Sequence, residues 1–210
     1  MRASTPQRGT LYLVVGPSGA GKDSLIDGAN AALGRDRRYV FPRRYITRSA
    51  EAGGEDHIPL SESMFEEMLG RGDMLLEWRA HNLRYGVPIV VNEYLTRGRN
   101  VVLNVSRTVV DDARTNFAPV RVLYVTVSDD VLAQRLRGRG RETERDIERR
   151  VARAREYELT GEDVVHIDNG GQLEASVSVF VAAIGAEQDA SKNSVSSPEM
   201  ARSPHPGAPT

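Results

Sequence analysis

Leu11–Ser24 reads LYLVVGPSGAGKDS. An apolar, β-branched run passes directly into a glycine-rich turn and then into polar residues that suit the start of a helix. Within the turn, Gly16, four further residues, Gly21 and Lys22 make the spacing of a P-loop. Glycines let consecutive backbone amides turn inward around an anion, and the helix that follows adds its positive N-terminal end. The lysine brings a compact charge to the β- and γ-phosphates of a nucleotide. Gly16, Pro17, Ser18, Gly19, Ala20, Gly21, Lys22, Asp23 and Ser24 are therefore the candidate cradle for ATP.

The choice of cation at that point stands out against the rest of the chain. Of the 28 basic residues only Lys22 and Lys192 are lysines. Lys192 lies in a C-terminal segment rich in Ser, Pro, Ala and Gly, too poor in apolar residues to offset the entropy of ordering it. Lys22 is thus the lysine of the folded body, at a position where the planar fork of an arginine fits poorly. Asp23 stands where the P-loop motif calls for the Ser or Thr whose hydroxyl meets magnesium, and Ser24 comes one position late. The Asp23 carboxylate offers Mg²⁺ a hard oxygen, directly or through water, or else complements the first helical turn. No His, Asp or Glu cluster has the spacing of a protein-built metal cage, so Mg²⁺ is expected to arrive with ATP.

Outward from the loop, composition sets the frame. The chain has 210 residues, 40% of them hydrophobic and 27% charged, with a formal net charge of -1. That suits one soluble domain with an ordinary core. Balanced charge argues against bulk attraction to nucleic acid or to a membrane surface, and leaves room for a local anion site where the same charges cluster. Zero cysteines exclude disulfides, thiolate ligands and a cysteine nucleophile. The first ten residues lack the apolar stretch of a secretory signal, and no run approaches the roughly 20 apolar residues of a membrane span. A cytoplasmic enzyme is the expectation.

Further strands are predicted at 100–105, 120–127 and 164–167, each apolar enough to be buried on both faces. Helical patterns fall at about 24–33, 64–69, 109–116, 129–136, 147–158 and 173–184. Alternation of strand and helix predicts an α/β fold with a parallel sheet. Ser128, Asp129 and Asp130 supply N-cap types and negative charge before one of these helices. A single domain over 10–186 is expected, with residues 1–9 and 187–210 disordered.

The order of motifs resembles the guanylate kinase-like family of P-loop nucleotide kinases, from about Leu11 to Ile184, and within it the ribose-bisphosphate kinases. Four segments carry the likeness: GPSGAGKDS; RRYITR at Arg43–Arg48; DHIPLSESMF followed by LLEW and YGV; and RLRGRGRE with DIERRVARAREY. The resemblance implies a P-loop NTPase fold, a parallel sheet flanked by helices, with an acceptor-binding insertion and an arginine-rich lid. It also implies a site. Arg48, His57 and Tyr85 match the positions that hold the acceptor phosphate, and Arg139 and Arg150, with Arg135 behind them, match the lid arginines that clamp the donor phosphates.

Departures within the acceptor site favour a sugar phosphate over a nucleotide. A second acceptor arginine expected three residues after Arg48 is Glu51, and guanine-reading positions become Arg44, Asn104 and Ser106. Two phosphates and no base call for guanidinium clusters without a base-edge reader, and Arg44, Arg48 and Arg107 supply such groups. Glu77 matches a guanine-reading glutamate and keeps guanylate as the alternative acceptor; its other reading is an ion-pair partner. The resemblance implies ATP-dependent phosphorylation of ribose 1,5-bisphosphate at its 1-phosphate, giving phosphoribosyl pyrophosphate and ADP. The rivals are a guanylate kinase and an inactive phosphopeptide-binding module. Transfer needs positioning and cationic clamping more than a base, because the acceptor phosphate is already ionised. Lys22, Arg139 and Arg150 are the expected catalytic groups, and Gly138 and Gly140 the pliable part of the lid.

Overall fold

Leu11–Val15 (β1) is buried along its whole length and forms the middle strand of a five-stranded sheet. The spatial order is β2 (Tyr39–Val40), β7 (Asn100–Asn104), β1, β8 (Val120–Thr126), β9 (Val164–Asp168), and every neighbouring pair is parallel. Alternate β1 side chains enter opposite layers. Leu11, Leu13 and Val15 pack with Leu103, Val122 and Tyr124, whereas Tyr12 and Val14 pack with Leu25, Val102, Leu123 and Phe180. A sheet covered on both faces needs apolar residues at consecutive positions, which is why its inner strands read as hydrophobic runs; β9, expected to be buried on both faces, lies at the sheet edge and exposes His166 and Asp168. The computed structural model describes residues 7–49, 55–140, 142–155 and 159–185.

Helices α1 (Lys22–Leu33) and α7 (Leu173–Gly185) cover the Tyr12 face, and the Tyr12 hydroxyl donates to the Ile184 carbonyl at 2.9 Å. Helix α1 begins two residues before the sequence pattern suggests, because Lys22 already continues the turn that leaves Gly21. Helix α4 (Val110–Asn116) follows a 3-10 turn at Arg107–Val109. Helix α5 (Asp129–Gly138) opens as expected, with Ser128 Oγ accepting from the Val131 amide at 3.4 Å. Helix α6 starts at Glu144, earlier than the pattern suggested, and runs to Arg155; residues 156–158 of the expected helix lie outside those described. Leu132, Leu136 and Ile147 give α5 and α6 a small core of their own, bordered by Val127.

A second sheet went unread in the sequence beyond the expectation of an acceptor-binding insertion. Its order is β4 (His57–Pro59), β3 (Arg44–Ile46), β6 (Leu83–Pro88), β5 (Met74–Ala80). Strands β3 and β4 are parallel; the other pairs are antiparallel. The β5–β6 hairpin turns on His81 and Asn82, both at positive φ (53° and 59°), as a two-residue turn matching strand twist requires. Between the sheets' segments lie α2 (Glu62–Gly70), capped by Ser61, and α3 (Val91–Thr96).

The chain is attached to this body before position 10: the Gly9 amide donates to the Leu95 carbonyl at 2.8 Å and Arg8 Nη2 to Asn92 Oδ1 at 2.5 Å. Residues 1–6 and 186–210, where loose termini were expected, lie outside those described. Among the described residues no helix is long and apolar enough to cross a membrane.

Candidate active site

The loop from Gly16 to Gly21 leaves the C-terminal end of β1 in a shape that side chains would block. Gly16 has φ +145° and a Cβ there would lie 2.3 Å from the Val125 carbonyl oxygen; Gly21 has φ +87° and a Cβ would lie 2.4 Å from Asn169 Nδ2. The far side of the loop is braced. The Ala20 carbonyl accepts from Asn169 Nδ2 at 2.7 Å and from Arg135 Nη1 at 3.2 Å, while Arg135 Nη2 donates to the Asn169 carbonyl at 2.7 Å. Arg135, expected near the donor phosphates, is thus occupied with backbone carbonyls behind the loop and is not among the residues that line the cleft. Two arms of its fork tie the P-loop to the segment after β9, as a strut does.

Lys22 folds back over the cradle, donating from Nζ to the Gly16 carbonyl at 2.9 Å and the Pro17 carbonyl at 3.0 Å. Burial lowers its pKa to about 8; Asp23 works against that shift, and Arg44, Arg107 and Arg139 add to it. So many cations crowded together make this place able to attract an anion. Asp23 is exposed beside the lysine and its Oδ1 accepts from Asn104 Nδ2 at 2.6 Å. Among the described residues no three His, Asp or Glu gather as a metal cage. A single anchored carboxylate suits an ion that brings most of its ligands with the nucleotide.

Cradle, second sheet and lid enclose a cleft of about 840 Å³. Gly16, Pro17, Ser18, Lys22 and Asp23 line it from the cradle; Arg44, Arg48, Tyr85, Asn104, Ser106 and Arg107 from the acceptor side; Arg139 and Arg150 from the lid. Six cationic side chains therefore converge on one space. Gly19 and Ala20 are buried under the loop, and Gly21 and Ser24 are not part of the lining.

On the acceptor side Arg44 is buried, forms an ion pair with Glu55, and sits 5.9 Å and 5.8 Å from the ring centroids of Trp78 and Tyr85. Those rings stack at 5.3 Å with an interplanar angle of 6°. Burial pushes the Arg44 pKa down, opposed by Asp23 and Tyr85. His57, expected at the phosphate, is instead buried off the cleft: Nδ1 lies 2.8 Å from the Glu55 carbonyl and Nε2 3.2 Å from the Arg48 carbonyl. Facing only acceptors, its ring holds the backbone of the acceptor loop. Glu77 is exposed and outside the lining. Strand alternation explains this, since Trp78 and Ala80 of β5 face the cleft and Glu77 between their positions and Leu76 faces the other way. Glu51 lies outside the described residues.

The lid already touches the cradle. Arg150 Nη1 donates to Ser18 Oγ at 3.3 Å and its Nη2 pairs with Glu142 Oε1 at 3.0 Å. Arg137 and Arg149 pair with Glu144 and Asp146 on the exposed surface. Glu55, Glu142, His81 and Trp78 also line the cleft, and sequence reasoning did not pick them as site residues. Burial, followed by Arg150 and Arg153, pushes the His81 pKa down, favouring a neutral ring. One signal for the carboxylates was available: so many converging cations require counter-ions.

A family model described as guanylate kinase matches residues 8–185. The chain is 44% identical over 181 residues to a ribose 1,5-bisphosphate phosphokinase of Brucella melitensis biotype 2, covering 86% of this chain and 94% of that one. It is 43% identical over 184 residues to a ribose 1,5-bisphosphate phosphokinase of Thiobacillus denitrificans, covering 88% and 96%. Among solved structures, a guanylate kinase from Anaplasma phagocytophilum superposes with a TM-score of 0.63 at 16% identity, covering 87% of each chain, a likeness of fold.

Proposed function

The chain belongs to the guanylate kinase family, and from that premise we propose that it transfers the γ-phosphoryl group of ATP to the 1-phosphate of ribose 1,5-bisphosphate. The products are 5-phosphoribosyl 1-diphosphate and ADP. The observation that carries the choice of acceptor is the cleft wall itself: Arg44, Arg48 and Arg107 line it and Glu77 does not. A wall of guanidinium groups recognises phosphates by forked, charge-assisted hydrogen bonds. A guanine ring needs a carboxylate to pair with its N–H groups, and the residue matching that role points out of the cleft.

The reaction follows from where these groups sit. An ionised oxygen of the 1-phosphate attacks the γ-phosphorus of ATP as the bond from that phosphorus to the β–γ bridging oxygen breaks, and ADP leaves with that oxygen. No proton has to be removed from the nucleophile, so no general base is required. Charge in the loose transition state spreads over the equatorial oxygens. Lys22, Arg139 and Arg150 surround that region, and Arg48 and Arg107 hold the acceptor in line, so catalysis is positioning and electrostatic stabilisation. Asp23, fixed by Asn104, is the residue that would hold Mg²⁺; the ion screens the β- and γ-phosphates when bound. The contact from Arg150 to Ser18 joins the lid to the cradle, and a lid that closes further over bound ATP would shield the donor side from water.

The test supplies purified protein with ATP, Mg²⁺ and either ribose 1,5-bisphosphate or guanylate while ADP release is followed. Turnover of the sugar bisphosphate is expected. Rapid turnover of guanylate with none of the sugar overturns the reading, and release of ADP with neither leaves the binding-module alternative in its place.

A further inference from the structure

The acceptor wall contains a carboxylate that phosphoryl transfer does not require. Glu55 lines the cleft together with Lys22, Arg44, Arg48 and Arg107, in surroundings built for a polyanion. Its side chain is 17% exposed. A carboxylate placed there repels an incoming phosphate, so its presence calls for a compensating interaction.

Its position is fixed from two directions. Oε2 pairs with Arg44 Nη2, whose guanidinium is itself held over Trp78 and Tyr85. The backbone carbonyl of Glu55 faces His57 Nδ1 at 2.8 Å. Arg44 engages Oε2, which leaves Oε1 as the second acceptor oxygen of a side chain that lines the cleft.

Hydrogen-bonding capacity then decides what that oxygen meets. Arg44, Arg48 and Arg107 only donate. Ser106 Oγ already accepts from the Thr108 amide and hydroxyl, and of the other carboxylates in the lining Asp23 accepts from Asn104 beside Lys22 and Glu142 pairs with Arg150 of the lid, which leaves Glu55 as the carboxylate among the acceptor-side arginines. A pentose bisphosphate brings two secondary hydroxyls as well as its phosphates, and these need an acceptor. We infer that Glu55 reads the sugar: Oε1 accepts a hydrogen bond from the 2- or 3-hydroxyl of the pentose while Oε2 remains on Arg44. This rests on the acceptor being ribose 1,5-bisphosphate.

The experiment compares kcat/KM of the full-length protein for ribose 1,5-bisphosphate and its 2-deoxy and 3-deoxy analogues. One deoxy analogue should be used about ten- to a hundred-fold less well, the range expected for a hydrogen bond to a charged group. Glu55→Gln should bring the three substrates to within a few-fold of one another. Glu55→Asp, which keeps the charge but withdraws it by one methylene, should erode the discrimination as well, and stands in should the Gln variant fail to fold. Wild-type protein that uses all three sugars alike overturns the inference. So does a Gln variant slowed by the same factor on each, because Glu55 would then only neutralise Arg44. Failure of wild-type protein to phosphorylate ribose 1,5-bisphosphate at all is a different outcome, and removes the proposed function on which the inference stands.

Discussion

Asn104 and Asp23 join the two sides of the cleft: Nδ2 of the first, at the end of β7, donates to Oδ1 of the second, in the first turn of α1, at 2.6 Å. The P-loop position that ordinarily bears a hydroxyl thus bears a carboxylate with its own support. Asn104→Ala should leave the fold intact and raise the Mg²⁺ concentration for half-maximal rate by roughly ten-fold, as loss of an orienting partner does at other metal sites. A Mg²⁺ titration of turnover and of ATP-analogue affinity checks it. An unchanged Mg²⁺ dependence in both would detach Asp23 from the ion.

Lys22→Ala should lower kcat/KM by at least about 10²-fold, the scale for losing one preorganised charge at the transferring group. Lys22→Arg should recover little, since a planar fork cannot follow the lysine's path over the Gly16 and Pro17 carbonyls. Steady-state rates with circular dichroism as the fold control decide this.

With its pKa lowered to about 8, the Lys22 ammonium is charged in the empty cleft below that pH and loses its proton above it. Phosphate oxygens favour the charged form, so bound nucleotide raises the pKa again. Binding is then insensitive to this group below pH 8, and above it takes up a proton and weakens by up to about ten-fold per pH unit until the raised pKa of the complex is reached. Calorimetry of ATP-analogue binding at pH 7.5 and 9, in buffers of different ionisation enthalpy, should find the uptake in wild-type protein and none in Lys22→Met.

Gly21→Ala combines a φ of +87° with a Cβ placed 2.4 Å from Asn169 Nδ2. Strain of about 1–3 kcal/mol is expected, with displacement of the Asn169 amide from the Ala20 carbonyl. A fall in Tm of roughly 5 °C and loss of nucleotide affinity should appear together. Retention of both would show that the brace behind the loop yields easily.

Four strands of the main sheet were legible from their apolar runs, most clearly Leu11–Val15, which is buried along its length; β2, an edge strand of two residues, left no such run to read. The second sheet was not: β3 and β4 have three residues each, and β5 mixes Glu77 and Arg79 with its core residues. Lys22 and the cradle were legible because a phosphate loop is contiguous in sequence. Glu77 was misplaced because a motif match carries no information about which face of a strand a residue takes. Arg135 and His57 fell at motif positions yet bind backbone carbonyls, which depends on the loops they meet. Glu55 and Glu142 come from separate segments and pair with different arginines, Arg44 and Arg150, and only folding brings both pairs to one cleft.

Helices α5 and α6 enclose a kernel of Leu132, Leu136 and Ile147, and among the described residues Val127 is the side chain that this kernel shares with the sheet's own packing. Helix α5 is also moored to the cradle, through Arg135 on the Ala20 and Asn169 carbonyls and through Leu132 and Leu136 packed against Gly19, so any swing of the helix pair must tug on the phosphate loop itself, and whatever settles in that loop is felt at the jaw.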